Sequence, residues 1–163
     1  MVLSNYWKWL NACNTINQSG QAAVDVGMKR TAGDAVTIVF AGAAAKNYLI
    51  ADSLTPAIGA GSNTYVKGDY ALKDDITSSF SNLSISLNSN ADDSLSRIIT
   101  VQGLNNAAKA KTISEIGIVK AIYSDPDHLS RSNPVLLAIC QLSAPIVVKA
   151  GATFQITIQW TEA

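Results

Sequence analysis

The end of the sequence alternates strictly between apolar and polar side chains over nine residues. The apolar members are Phe154, Ile156, Ile158 and Trp160, and threonines and glutamines stand between them and on either side. Because successive side chains of a β-strand point to opposite faces, this alternation predicts a strand with one buried and one solvated face. Burying apolar side chains of this size contributes about 1.5–3 kcal/mol each, so we expect this strand to line the core.

Several other short segments have β-strand character and are separated by turn residues. We predict strands at residues 35–41, 48–51, 65–72, 80–87, 95–104, 113–123, 135–142 and 145–148. Residues 53–63 combine proline with glycines and small residues, which predicts a surface loop. Residues 149–151 predict a turn in which Gly151 adopts positive φ.

The composition supports a β protein. The chain contains 16 Ile, 11 Val and 11 Thr, and it carries ten Asp but only two Glu. β-branched residues suit strands, whereas Asp favours turns and Glu is the acid that favours helices. The sequence therefore predicts an all-β fold, an antiparallel β-sandwich of jelly-roll or immunoglobulin-like type. Residues 1–20 are predicted to form an aromatic arm or a short helix, and residues 21–163 a single β-sandwich domain.

Charge and hydropathy argue against two classes of partner. Twelve basic and twelve acidic residues cancel, whereas proteins that bind nucleic acid or anionic membranes need a cationic face. No apolar run reaches the ~18–20 residues of a membrane span, and the first residues lack the pattern of an export signal. We therefore expect no nucleic-acid or membrane partner. Because the sequence shows no export signal, we also expect Cys13 and Cys140 to be reduced thiols, although a disulfide bond between the two remains an open alternative.

Few residues offer catalytic or metal-binding chemistry. The single histidine, His128, lies beside Asp127 and near Ser130, but a catalytic triad is defined by positions in space that sequence neighbours seldom provide. The acidic pairs at 74–75, 92–93 and 125/127 lack the spacing of a calcium loop and are typical of turns. We predict a protein that is not an enzyme, with no catalytic, cofactor or metal site.

Three aromatic residues near the start of the sequence are the best candidates for an interaction site. Tyr6, Trp7 and Trp9 fall within four residues, and aromatic side chains are enriched at the centres of protein interfaces. The alternative is that they cap one end of the β domain. We expect deletion of residues 1–17 to leave a folded domain with weaker assembly.

The second half of the sequence resembles a recurrent pattern in virion proteins of tailed bacteriophages. The segments that carry the resemblance are residues 113–118, 136–138, 142–146, 150–151 and 154–160, with a weaker contribution from residues 72–87. The resemblance implies a β-sandwich that forms a structural part of a phage particle, as a capsid decoration, head-fibre, tail or baseplate protein. It implies no catalytic residue.

Glu115 is a second candidate interaction residue. If Ile116 and Ile118 point into the core, Glu115 points outward beside Gly117, where it either solubilises the surface or forms an ion pair with another subunit.

Two functions are consistent with these sequence features. The first is a structural component of a virion, assembled in the host cytoplasm as a homo-oligomer with other virion proteins as partners. The second is a lectin-like module that binds a carbohydrate, such as a host-surface glycan, through loops 53–63, 88–94 and 105–111 with Tyr65 or Tyr70 as contacts. An exposed ring beside loop acids would favour the lectin, whereas exposed Trp7 and Trp9 would favour the assembly protein.

Overall fold

The structure is a computed structural model of the 163-residue chain that describes residues 1–19, 24–38, 54–89, 96–123 and 132–161. Within these ranges the chain forms one α-helix, α1 (Ser4–Ser19), and eight strands. The strands are β1 (Val24–Lys29), β2 (Ala35–Ile38), β3 (Leu54–Gly59), β4 (Phe80–Ser89), β5 (Ser96–Asn105), β6 (Lys111–Tyr123), β7 (Ser132–Val148) and β8 (Thr153–Thr161). The predicted all-β class is confirmed.

The described strands form three antiparallel sheets. β1 and β2 pair with each other, β3-β6-β7 form one three-stranded sheet, and β4-β5-β8 form another. The predicted C-terminal strand is confirmed as β8, in which Ile156 is buried while Gln155 and Thr157 are exposed. The predicted turn before β8 is also confirmed: Gly151 has φ +69°, and Ala152 N–H donates to the Lys149 carbonyl at 3.1 Å.

One hydrophobic cluster, the main core, draws side chains from both three-stranded sheets. Its buried members are Ile58, Phe80, Ile99, Val101, Ile113, Ile116, Ile118, Ala138, Val148 and Ile156. These residues come from all six strands of the two sheets, so the two sheets share one apolar core.

The sheet β3-β6-β7 is also covered on its other face. A second cluster joins Leu3, from the segment before α1, and Leu72, from the connection between β3 and β4, to Ala57, Val119, Leu136 and Ile139 of the sheet. As a result, β6 is buried at every residue from position 113 to position 120. Glu115 has 0% exposure, so the prediction that it points outward to solvent is wrong.

Two predicted elements between residues 53 and 72 are wrong. The predicted surface loop at 53–63 contains β3, in which Pro56 pairs with Ile118. Proline is tolerated there because β3 is at the edge of its sheet. The predicted strand at 65–72 is instead irregular, with a turn in which Asp69 N–H donates to the Val66 carbonyl at 3.0 Å.

The two predicted strands at 135–142 and 145–148 form one strand, β7. Its pairing with β6 shifts between Glu115, opposite Gln141, and Ile113, opposite Ile146. The residues around Pro145 therefore bulge out of the ladder without reversing the chain direction.

Some predictions fall on residues outside the described ranges. These include the strand at 48–51, the acids at 92–93 and 125/127, and His128. Among the described helices, none has the length and apolar character required to cross a bilayer.

Candidate functional site

The segment before α1 is built into the β domain. Val2 pairs with Ala138 of β7, and Leu3 N–H donates to the Leu137 carbonyl at 2.9 Å. The Leu3 side chain is fully buried in the second cluster. This pairing sets the position from which α1 begins.

Asn5 fixes the first turn of α1 to two strands. Its side-chain amide donates to the carbonyls of Lys29, at 2.9 Å, and Leu136, at 3.2 Å, while its Oδ1 accepts from Lys29 N–H at 3.1 Å. The residue is almost fully buried. Sequence reasoning missed Asn5, because asparagine near a helix start is read as a local capping residue.

The helix holds the three predicted aromatic residues in different environments. The Tyr6 and Trp7 rings meet edge-on with centroids 5.3 Å apart, and the Tyr6 and Trp9 centroids are 6.0 Å apart. Trp9 is partly buried, with Lys120 Nζ 5.7 Å from its ring centroid. Trp7 is 58% exposed, and Leu10, one turn later, is 42% exposed. The exposed part of the aromatic group is therefore Trp7.

Glu115 lies at the centre of a hydrogen-bond network that the sequence did not reveal. Its Oε2 accepts from the Tyr65 hydroxyl at 2.7 Å, and its Oε1 accepts from Asn63 N–H at 3.1 Å. The Tyr65 hydroxyl itself accepts from Lys73 N–H at 3.0 Å. Burial is the main cause that raises the pKa of Tyr65 to about 12, and the Glu115 carboxylate raises it further. The pair joins β6 to the connection between β3 and β4.

Further polar contacts hold this connection in place. Asn63 Nδ2 donates to Asp74 Oδ2 at 2.9 Å, and Gln141 Nε2 donates to the Asn63 carbonyl. Lys73 Nζ donates to the Thr64 carbonyl and lies 4.9 Å from the centroid of the Tyr65 ring. Asp74 thus has a structural role in the network.

A cavity of about 520 Å³, the polar cavity, lies beside this network. Its lining is Met1, Gly61, Ser62, Asn63, Thr64, Tyr65, Ser114, Ile139, Gln141, Leu142, Ser143 and Pro145. The lining combines hydroxyl, amide and apolar side chains with Met1, whose α-ammonium donates to the Ile139 carbonyl at 2.6 Å. Such a surface is suited to a ligand that both donates and accepts hydrogen bonds.

A second cavity, the shared cavity, has a volume of about 310 Å³ and is lined by both three-stranded sheets. Ile99, Ile158 and Gln159 contribute from one sheet, and Ile118, Ala138, Ile139, Cys140 and Gln141 from the other, with Met1 beside them. Cys140 is a free thiol, and burial raises its pKa. The side chain of Cys13 is outside the described residues.

Asp75 belongs to one of the acidic pairs that were predicted to lie in turns. Asp75 Oδ1 accepts from Thr77 N–H at 2.8 Å at the turn before β4, as the turn interpretation of this acid predicted. In the described part of the chain, no three His, Cys, Asp or Glu side chains lie close enough together to hold a metal ion.

The loops proposed for carbohydrate binding do not present an open aromatic face among the described residues. The Tyr65 hydroxyl has two partners and Lys73 Nζ lies over its ring, while Lys29 Nζ lies 5.3 Å from the Tyr70 ring centroid. In the predicted loop at 105–111, Asn105 is fully buried, and its Nδ2 donates to the carbonyls of Val148, Lys149 and Lys109.

Comparisons with known proteins do not identify a relative. No family model matches the sequence. No curated protein and no solved structure matches it either.

Proposed function

We propose that this protein is a non-enzymatic structural component of a tailed-bacteriophage particle. It serves as an accessory capsid protein of the decoration or head-fibre type, or as a tail or baseplate component. It acts through contacts with copies of itself and with other virion proteins, is assembled in the host cytoplasm, and resides in the virion.

We further propose that the two three-stranded sheets stack as a β-sandwich of jelly-roll or immunoglobulin-like type. Support comes from the main core, to which all six strands of the two sheets contribute buried side chains. Two sheets that bury their inner faces against each other in this way are the basis of sandwich architecture.

The resemblance to virion proteins supports the assignment to a particle. The resembling segments 113–118, 136–138 and 154–160 lie within β6, β7 and β8. They therefore correspond to strands of the fold, whereas residues 142–146, a turn in the virion pattern, lie within β7.

The observation that carries the proposal is the position of Trp7. Its ring is 58% exposed, although the helix that bears it is anchored by the buried residues Leu3 and Asn5. An exposed tryptophan on a rigid support is typical of an interface, because little conformational entropy is lost when a partner covers it.

Incorporation into particles tests this function. The gene is replaced in the phage that carries it by versions encoding Trp7→Ala or, as a matched control, Val66→Ala, which removes another exposed apolar side chain. Mass spectrometry of gradient-purified particles is expected to find the wild-type and V66A proteins at equal copy number and W7A strongly depleted. Absence of the wild-type protein from purified particles would overturn the proposal.

The polar cavity favours one alternative function, a carbohydrate-binding module. Its hydroxyl and amide side chains can exchange hydrogen bonds with the hydroxyl groups of a glycan. Glycan-array binding by the wild-type protein that is lost in Ser62→Trp, which fills the cavity from an exposed position, would support this alternative. Binding unchanged by S62W, or no binding at all, would exclude the cavity as a glycan site.

A further inference from the structure

β8 presents an open edge of its sheet. It pairs with β5 on one side, and in the described part of the chain no strand pairs with its other side. The pairing with β5 continues along the whole strand, from Thr153 to Thr161, without a register shift. β8 also contains no proline and no charged residue. A long, regular edge of this composition is a template to which another strand can add.

The three other edges of the two three-stranded sheets each carry a feature that obstructs strand addition. β3 contains Pro56, which has no backbone N–H to donate. β4 has a register shift around Asn82, whose φ is +52°. The outer edge of β7 is already occupied in part, because Val2 pairs with Ala138, and the strand contains two prolines. Proteins protect sheet edges with such features, and among these four edges β8 has none of them.

The sequence of β8 is complementary to itself. Its residues, TFQITIQWT, read alike in both directions apart from the exchange of one aromatic residue for another. In an antiparallel pair of β8 strands centred on Thr157, threonine faces threonine, glutamine faces glutamine and isoleucine faces isoleucine, while Phe154 is in register with Trp160. Moving the centre to Ile156 or Ile158 sets glutamine opposite threonine and leaves one end of the strand unpaired. Since matched cross-strand neighbours stabilise a sheet, β8 favours a second copy of itself as its partner.

Pairing about Thr157 also matches the two faces of the sheet. Because the centre falls on a residue, each residue of β8 faces a residue on the same side of the sheet. Gln155, Thr157 and Gln159 are exposed, so their pairs form on the solvent face. Ile156 is buried in the main core and Ile158 is partly buried against it. Pairing these two isoleucines extends the main core from one copy into the next.

We infer that the β8 strands of two copies pair antiparallel about a two-fold axis at Thr157. The two β4-β5-β8 sheets then form one six-stranded sheet that runs through both copies. The inference rests on the proposed assembly function and specifies one contact between copies. Thr157 is the residue of β8 that faces its own counterpart, so a charge placed there meets the same charge in the partner.

Charged substitutions test the contact by sedimentation velocity. Thr157→Lys and Thr157→Glu each place like charges opposite each other at the axis. The matched control is Ser86→Lys, because exposed Ser86 lies in the same row of the sheet, joined to Thr157 through Thr100, but in β4 at the opposite edge. The wild-type and S86K proteins are expected to dimerise equally. T157K and T157E are expected to dimerise more weakly by about tenfold or more, because like charges in direct opposition disfavour association.

Mixing T157K with T157E is the decisive experiment. In the mixed pair the lysine faces the glutamate, so a one-to-one mixture is expected to recover a dimer that neither variant forms well alone. Circular dichroism identifies any loss caused by unfolding, and a variant that unfolds is replaced by Thr157→Arg or Thr157→Asp. A mixture of folded variants that forms no dimer, or a wild-type protein that stays monomeric, would overturn the inference.

Disulfide crosslinking tests the register independently, in a protein with Cys13 and Cys140 replaced by alanine. Directly opposed residues of an antiparallel pair have Cα atoms about 4.5–5.5 Å apart, which a disulfide can bridge. On mild oxidation Thr157→Cys is therefore expected to form a covalent dimer. Gln155→Cys and Gln159→Cys are each expected to remain monomeric alone and to crosslink when mixed, since residue 155 faces residue 159. Equal crosslinking of all three single variants would contradict the inference.

The contact and the virion function can fail separately. If the protein dimerises through β8 but is absent from purified particles, the virion function fails while the contact stands. If it is present in particles but T157K and T157E dimerise as the wild-type protein does, the contact fails while the function stands.

Discussion

The Tyr65 hydroxyl donates a 2.7 Å hydrogen bond to Oε2 of Glu115, a carboxylate with no exposed surface. Tyr65 lies in the connection between β3 and β4, and Glu115 lies in β6, so the bond ties an irregular segment to a sheet strand. Burying a carboxylate is unfavourable unless it is well hydrogen-bonded. The pair is therefore expected to stabilise the fold.

Removing the Tyr65 hydroxyl should destabilise the protein. Tyr65→Phe deletes one donor to Glu115 and leaves that oxygen buried without it, which costs about 1–3 kcal/mol in free energy of unfolding. Urea unfolding followed by circular dichroism measures the change, and Tyr70→Phe is the control, because no hydrogen bond to the Glu115 carboxylate involves Tyr70. Equal stability of Y65F and the wild-type protein would show that the bond is energetically unimportant.

Stability should also fall at high pH because of Tyr65. The pKa of Tyr65 is about 12 in the folded protein against an ordinary value of 10. An acid with a raised pKa binds more protons in the folded state, so its stabilising contribution is complete below pH 10 and is lost as the pH rises through 12. Urea unfolding from pH 9 to pH 12 should show a steeper loss for the wild-type protein than for Y65F, and parallel curves would contradict this assignment.

A methyl group at position 59 should disturb the same network. A Cβ on Gly59 would lie 2.7 Å from Oε2 and 3.0 Å from Cβ of Glu115, whereas a Cβ on Gly68 meets nothing within 4 Å. Gly59→Ala is therefore expected to destabilise the protein by about 1–3 kcal/mol through overpacking. Gly68→Ala should change stability by no more than about 0.5 kcal/mol. Thermal unfolding compares the two, and indistinguishable melting curves would argue against close packing at Gly59.

The start of the chain should be necessary for stability. Leu3 is fully buried in the second cluster, so Leu3→Ala is expected to cost about 2–5 kcal/mol. For the same reason we expect deletion of residues 1–17 to unfold or severely destabilise the domain, in contrast to the sequence-based expectation. A truncated protein that retains its β circular dichroism and melting temperature would contradict this prediction.

Asn105 should organise the connection between β5 and β6. Its Nδ2 donates to the carbonyls of Lys109, Val148 and Lys149, and its Oδ1 accepts from Ala107 N–H at 2.9 Å. Asn105→Ala leaves several of these groups unpaired, which is expected to cost about 1–3 kcal/mol. Hydrogen exchange of residues 106–110 should accelerate, whereas Asn106→Ala, an exposed neighbour, should leave it unchanged. Unchanged exchange in N105A would show that the loop is held by other contacts.

The sequence pattern predicts a strand correctly where one face of the strand is buried and the other is exposed to solvent. The alternation around Ile156 identifies β8, because each side of that strand meets a different environment. The same rule failed for Glu115, since Leu3 and Leu72 come from distant parts of the chain to cover the second face of β6. Nothing near Glu115 in the sequence indicates that cover.

The elements between β2 and β4 were harder to predict for a related reason. Pro56 and Gly59 are turn residues by local preference, yet an edge strand accepts both because its outer side needs no regular ladder. Trp7 is a candidate from the sequence alone, because a cluster of aromatic residues is visible there. Trp7 is exposed whereas Trp9 is half-buried, and this difference depends on how α1 packs against the β domain. The sequence does not reveal that packing.

Electron microscopy of phage particles with and without this gene tests the central claim most directly. A difference map between wild-type particles and particles that lack the protein should show missing density, repeated by the symmetry of the head or tail. Restoring the wild-type gene should restore that density. Identical maps, from particles in which the deletion has been verified, would contradict the assignment of this protein to the virion.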